Sequence, residues 1–125
     1  MAHMTVQPRP TPAERSNEEI MVEVDEALTV LALTIEDWVT PRQAWEVQFR
    51  EGHAHGRPNN VEAHVLFVAG EQTSSLTFRL DQLERADDTG DQLVLLFEER
   101  DGIAKIAYLT PNGLDVELFH ILTFT

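Results

Sequence analysis

The chain contains no cysteine, which excludes disulfides, zinc knuckles, thiol catalysis and Cys-ligated iron–sulfur clusters. Lysine is almost as scarce: Lys105 is the single one in 125 residues. No P-loop, Schiff-base lysine or lysine proton shuttle can sit anywhere else. Basic residues number 9 against 22 acidic ones, a formal charge of −13. Binding to bare DNA or RNA backbone is therefore disfavoured, because phosphate contacts need clustered Lys and Arg. Apolar runs are a handful of residues long, far below the roughly 20 that span a bilayer. No basic stretch leads into an apolar one in the manner of a signal peptide. The serines are Ser16, Ser74 and Ser75, none in a Gly-x-Ser-x-Gly elbow, and no Gly-rich phosphate cradle exists. The expectation is a cytoplasmic protein without a nucleic-acid or membrane partner, without a cofactor, and leaning away from enzymes.

What is present suits one globular domain, with 42% apolar and 25% charged residues. Met1-Ala2-His3 ahead of Met4 reads as a cloning remnant, and residues 4–10, with two prolines, as a flexible leader. The expected domain is 11–125. Charge is uneven along it. From Glu14 to Asp37 eight acids face Arg15 alone, a net of −7. From Trp38 to Leu80 four acids balance four arginines. From Asp81 onward ten acids face three basic residues, again −7.

The first element reads as one long helix. Thr11-Pro12-Ala13-Glu14 and Ser16-Asn17-Glu18-Glu19 are both capping boxes. Ile20, Val24, Ala27, Leu31, Ile35 and Trp38 recur at helical spacing, widened by Met21, Leu28 and Ala32. Thr40-Pro41 ends the run, since a residue before proline avoids the α region. Beyond it the period becomes two. Trp45, Val47 and Phe49 alternate with polar residues, as do Val61 to Phe67 and Leu76, Phe78 and Leu80. Asp81-Gln82-Leu83-Glu84 predicts a short helical turn before an Asp87–Asp91 loop. Leu93 to Phe97, apolar on both faces, predicts a central strand. Asp101-Gly102 predicts a primed hairpin turn. Ile103–Leu109 and Leu114–Phe124 complete the pattern. The expected fold is α+β: a long N-terminal helix on one antiparallel sheet of about six strands, in the order α-β-β-β-(short α)-β-β-β.

Two functional readings follow. In the first, the chain is a non-catalytic acidic interaction module: an inhibitor, an immunity protein or a chaperone-like adaptor for a more basic protein. Val22, Val30 and Leu33 lie off the main helical stripe, among Glu19, Glu23 and Glu26. The expected contact surface is Val22, Glu23, Glu26, Val30 and Leu33, serving a protein partner or a homodimer. A helix on an antiparallel sheet resembles small acidic secretion chaperones in architecture. In the second reading the chain binds a metal or small ligand, an enzyme among the options, through segment 51–64. His53-Ala54-His55 can chelate an ion if extended, with Glu62 or His64 as further ligands. The pair resembles the first metal motif of cupins. Glu62 follows His55 after six intervening residues, a longer gap than that motif has, and its upstream glycine is absent. No metal is therefore expected. His64 lies on a strand face opposite Val65 and Phe67. His120, in step with Leu118, is expected to face the core.

Overall fold

Helix initiation follows the second capping box. In the computed structural model, which describes residues 16–22, 24–51 and 61–121 without the side chain of Val22, Ser16 Oγ accepts from the Glu19 N–H at 3.2 Å. Helix α1 runs Asn17–Val22 and helix α2 runs Glu26–Val39. The expected continuous helix is thus divided. Asp25 is the cause: its backbone is extended, with ψ 165°, and its carboxylate accepts from Leu28 N–H at 2.9 Å. An Asp cap offers the backbone a local bond that competes with helix continuation. Helix α2 ends where Thr40-Pro41 predicts, with Thr40 N–H bonded to Glu36 O. Leu28, Ala32, Ile35, Trp38 and Val39 are buried. Val24 and Leu31 are half-buried against this core, and Ala27 is exposed.

The strands form two antiparallel sheets rather than one. The first joins β1 (Trp45–Glu51), β2 (Val61–Ala69) and β3 (Gln72–Arg79) in that order. The second joins β4 (Leu83–Asp88), β5 (Leu93–Phe97), β6 (Ile103–Thr110) and β7 (Gly113–His120). Strand β4 takes up the stretch where the sequence predicts the rest of the helical turn and the start of the Asp87–Asp91 loop, and Thr89 to Gln92 remain a turn. The helical turn before it is a single 3₁₀ turn, Leu80–Gln82. A register shift between Leu83 and Arg85 breaks the alternation of β4, which hides the strand in its charged sequence. The Asp101-Gly102 turn is as expected, both residues having positive φ (54° and 77°) and Arg100 and Ile103 exchanging backbone bonds at 2.9 Å.

Inner faces of both sheets meet in one core. Trp45, Phe49, Val61, Ala63, Val65, Phe67, Leu76 and Phe78 come from the first sheet, and Leu83, Leu93, Leu95, Phe97, Ala107 and Leu109 from the second. Helix α2 packs on β1 and β4, the first strand of each sheet. Trp38 on α2 meets Trp45 edge-on at 5.8 Å, and Trp45 meets Phe67 at 5.1 Å. Trp45 Nε1 donates to Thr110 O at 2.8 Å, tying the first sheet to β6. Arg42 stacks over Trp38 at 4.0 Å and donates to Trp38 O and Gly90 O. Among the described residues no helix is long and apolar enough to cross a membrane.

The outer edge of β1 is sealed by a side chain. Asn17 Oδ1 accepts from Phe49 N–H at 2.9 Å, while its Nδ2 donates to Val47 O at 3.2 Å and to Glu36 Oε2 at 3.0 Å. The amide takes the place of a neighbouring strand. On the opposite flank β3 lies beside β7 without joining it into a common sheet. A Cβ at Gly113 would stand 3.4 Å from Gln72 Nε2, so the two strands approach closely at their starts.

Candidate functional site

Of the residues singled out on the helix, the structure describes Glu26, Val30 and Leu33 with their side chains. Val30 and Leu33 project from α2 and are 58% and 42% exposed. Glu26 is exposed in the first turn of the same helix. Val22 closes the separate helix α1, and Glu23 lies outside the described residues. Leu33 borders a shallow depression with Glu18, Met21, Thr29 and Glu36.

His53 and His55 also lie outside the described residues. His64 and Glu62 sit two apart on the outer face of β2, with His64 Nε2 3.6 Å from Glu62 Oε1. That separation is beyond hydrogen-bond range, and Nε2 is buried without another partner. His64 Nδ1 lies 3.4 Å from Thr77 Oγ1. Among the described residues no three His, Asp or Glu side chains converge as a metal site would require. His120 shares the core-side face of β7 with Leu118 but is not buried: it is exposed near the end of the strand, opposite Ile103.

The two outer sheet faces differ in chemistry. On the first sheet, register places Glu46, Leu66 and Ser75 in one row, Gln48, His64 and Thr77 in the next, and Arg50, Glu62 and Arg79 in a third. Polar and balanced, this face suits water. On the second sheet Asp87, Val94, Tyr108 and Asp115 form one row, and Arg85, Leu96, Ile106 and Glu117 another. Ala104 and Phe119 form a third pair on the same side. The centre of this face is apolar across β5 and β6, and its margins on β4 and β7 carry carboxylates. Arg85 on the β4 margin is paired with Asp87 at 3.1 Å. Phe119 is 45% exposed. Helix α2 packs on β4 and β1 and helix α1 on β1, while Val94, Leu96, Ile106 and Tyr108 at the centre of this face are half-buried. The sequence signal was present in part: β5 reads as apolar on both faces, but the partnering of its second face with Ile106 and Tyr108 requires the register.

A cavity of about 350 Å³ opens where β3 and β7 part. Phe78, Phe97, Ile103 and Leu118 supply its apolar lining, and Gln82, Glu98, Arg100 and Lys105 its polar one. Phe78 and Phe97 meet edge-on at 5.0 Å across the two sheets. Sequence reasoning missed this site, because its walls come from four strands and two turns distant in the chain.

Comparison of the chain with protein-family models, with curated proteins and with solved structures finds no match.

Proposed function

We propose that the protein is a non-catalytic interaction module whose β4–β7 outer face docks a basic, amphipathic segment of a partner protein. The observation that carries this reading is the pattern of that face: Val94, Leu96, Ile106 and Tyr108 in the middle, with Asp115 and Glu117 along the β7 margin and the Arg85–Asp87 pair along the β4 margin. An apolar centre supplies the area that favours association, and a charged rim supplies partner choice and encounter rate. A partner with an apolar stripe flanked by Lys or Arg would match both parts. The net charge of −13 would attract it from a distance. The helix surface of Glu26, Val30 and Leu33 is the second candidate, smaller because two apolar side chains make it up among the described residues.

The experiment is a comparison of baits: the wild type, Ile106→Gln with Phe119→Gln, and Val30→Gln with Leu33→Gln. Each is checked for folding by circular dichroism and presented to the same lysate at low and high salt. A basic protein should be held saturably by the wild type and the helix variant, lost from the sheet variant, and weakened by salt. Loss from the helix variant instead would move the surface to α2. Capture that salt leaves unchanged would refute a basic partner.

A further inference from the structure

We propose that the cavity between β3 and β7 binds a small molecule carrying one carboxylate on an apolar chain. Its volume, about 350 Å³, lies at the small end of the range for ligand pockets. The decisive observation is the distribution of cations. Among the described residues Arg42, Arg50, Arg79 and Arg85 all donate side-chain hydrogen bonds within the protein. Arg100 and Lys105 make no such bond and no ion pair, and both line this one cavity. Lys105 is the chain's only lysine, half-buried, with Nζ 4.8 Å from the centroid of the Phe97 ring.

Both cations border an apolar wall with their donors uncommitted to any carboxylate of this acidic chain, so an anion entering the cavity would meet two open charge-assisted contacts. The rest of the wall says what that anion is attached to. Phe78, Phe97, Ile103 and Leu118 are apolar, and Leu118 is 66% exposed. By register Leu118 stands opposite Lys105 on the face that continues the core, beyond the last residues that cover it. Glu98 also borders the cavity. Arg100 and Lys105 against Glu98 leave one positive charge, which suits a monoanion and disfavours a dianion. The head group would rest between Lys105 and Arg100, and the chain would cover Phe97, Ile103 and Leu118. This site is independent of the outer-face docking reading, since its walls belong to the inner side of the sheet.

The same chemistry could come from a free acid or from the carboxyl terminus of an apolar peptide. Calorimetric titration separates the sources with four probes: octanoate, octan-1-ol, octanedioate, and a Leu-Phe peptide with a free or amidated carboxyl end. Octanoate should saturate one site and move the methyl resonances of Ile103 and Leu118. Octan-1-ol should bind roughly tenfold or more weakly, the loss expected for one charge-assisted contact, and octanedioate should also bind more weakly, because its second carboxylate would fall on the apolar wall. Arg100→Gln, at an exposed side chain without internal bonds, should give a similar loss, as should Lys105→Gln. Tighter binding of the free-acid peptide than of octanoate would assign the site to a peptide end, and the reverse to a free acid. Equal binding of octanoate and octan-1-ol, no saturable binding by any carboxylate probe, or binding unchanged in Arg100→Gln would overturn the proposal.

Discussion

Replacing Asn17 by alanine should open the edge of β1. The amide makes three hydrogen bonds there: from Phe49 N–H at 2.9 Å, to Val47 O at 3.2 Å and to Glu36 Oε2 at 3.0 Å. Each bond of this kind contributes about 0.5–1.5 kcal/mol net, and a buried donor left without a partner costs about 1–3 kcal/mol. Val47 O and Glu36 are partly solvated, so water replaces their lost partner. The Phe49 N–H is less accessible, since its residue is fully buried. The expected loss is therefore about 2–4 kcal/mol. Asn17→Asp sharpens the reasoning. It keeps the acceptor for Phe49 but sets a carboxylate against Glu36 Oε2 and Val47 O, so it should also destabilise. Adding Glu36→Gln should restore part of the loss, because an amide can donate to the new carboxylate. Urea unfolding followed by Trp38 and Trp45 fluorescence gives the free energies, and hydrogen exchange reads the Phe49 amide directly. A loss below about 0.5 kcal/mol for Asn17→Ala, with Phe49 protection unchanged, would refute the edge seal.

Two further outcomes follow from packing and capping. Ile35, fully buried on α2, should lose about 2–5 kcal/mol on change to alanine, read from the same urea midpoints; a loss under about 1 kcal/mol would mean that α2 is not docked on the core. Asp25→Ala removes the bond to Leu28 N–H and should cost about 0.5–2 kcal/mol, with faster exchange of the first α2 amides; unaltered exchange there would mean that Asp25 does not divide the helices.

Much of the fold was legible because local chemistry and burial agreed. Ser16, Pro41 and the Asp101-Gly102 turn are each set by their own backbone requirements, and each marks a boundary as expected. Strands β1 to β3 read correctly because their inner face is covered and their outer face is wet, which writes burial into the sequence as alternation. Legibility failed where two local signals competed. Asp25 lies within a continuous apolar period, and its side-chain cap overrides that period. In β4 a bulge shifts the phase, so that Leu83 and Ala86 share the inner side although two residues, not one, lie between them. The division into two sheets could not be read at all, since it depends on β3 and β7 failing to pair. For the same reason the cavity was invisible: Lys105 and Arg100 look like ordinary surface cations until the strands around them are placed.

The uneven charge of the chain becomes an unevenness of surfaces once the strands are paired. The balanced segment from Trp38 to Leu80 supplies the whole first sheet, and the second acidic block supplies the whole second sheet. Acids in that second block sit beside apolar rows rather than among polar ones. This arrangement fixes the sign of a salt effect. If the β4–β7 face paired with its own copy, Asp87, Asp115 and Glu117 would approach carboxylates of the other molecule, and screening would strengthen the dimer. If it meets a basic partner, the same acids attract and screening weakens the complex. Sedimentation equilibrium at about 0.01 M and about 1 M salt spans Debye lengths from roughly 30 to 3 Å, enough to turn either term off. The expected result is a chain that stays monomeric at both salts, while the complex with its partner dissociates at the higher one. A dimer that forms only at high salt and is lost in Ile106→Gln with Phe119→Gln would show that the face serves a second copy instead.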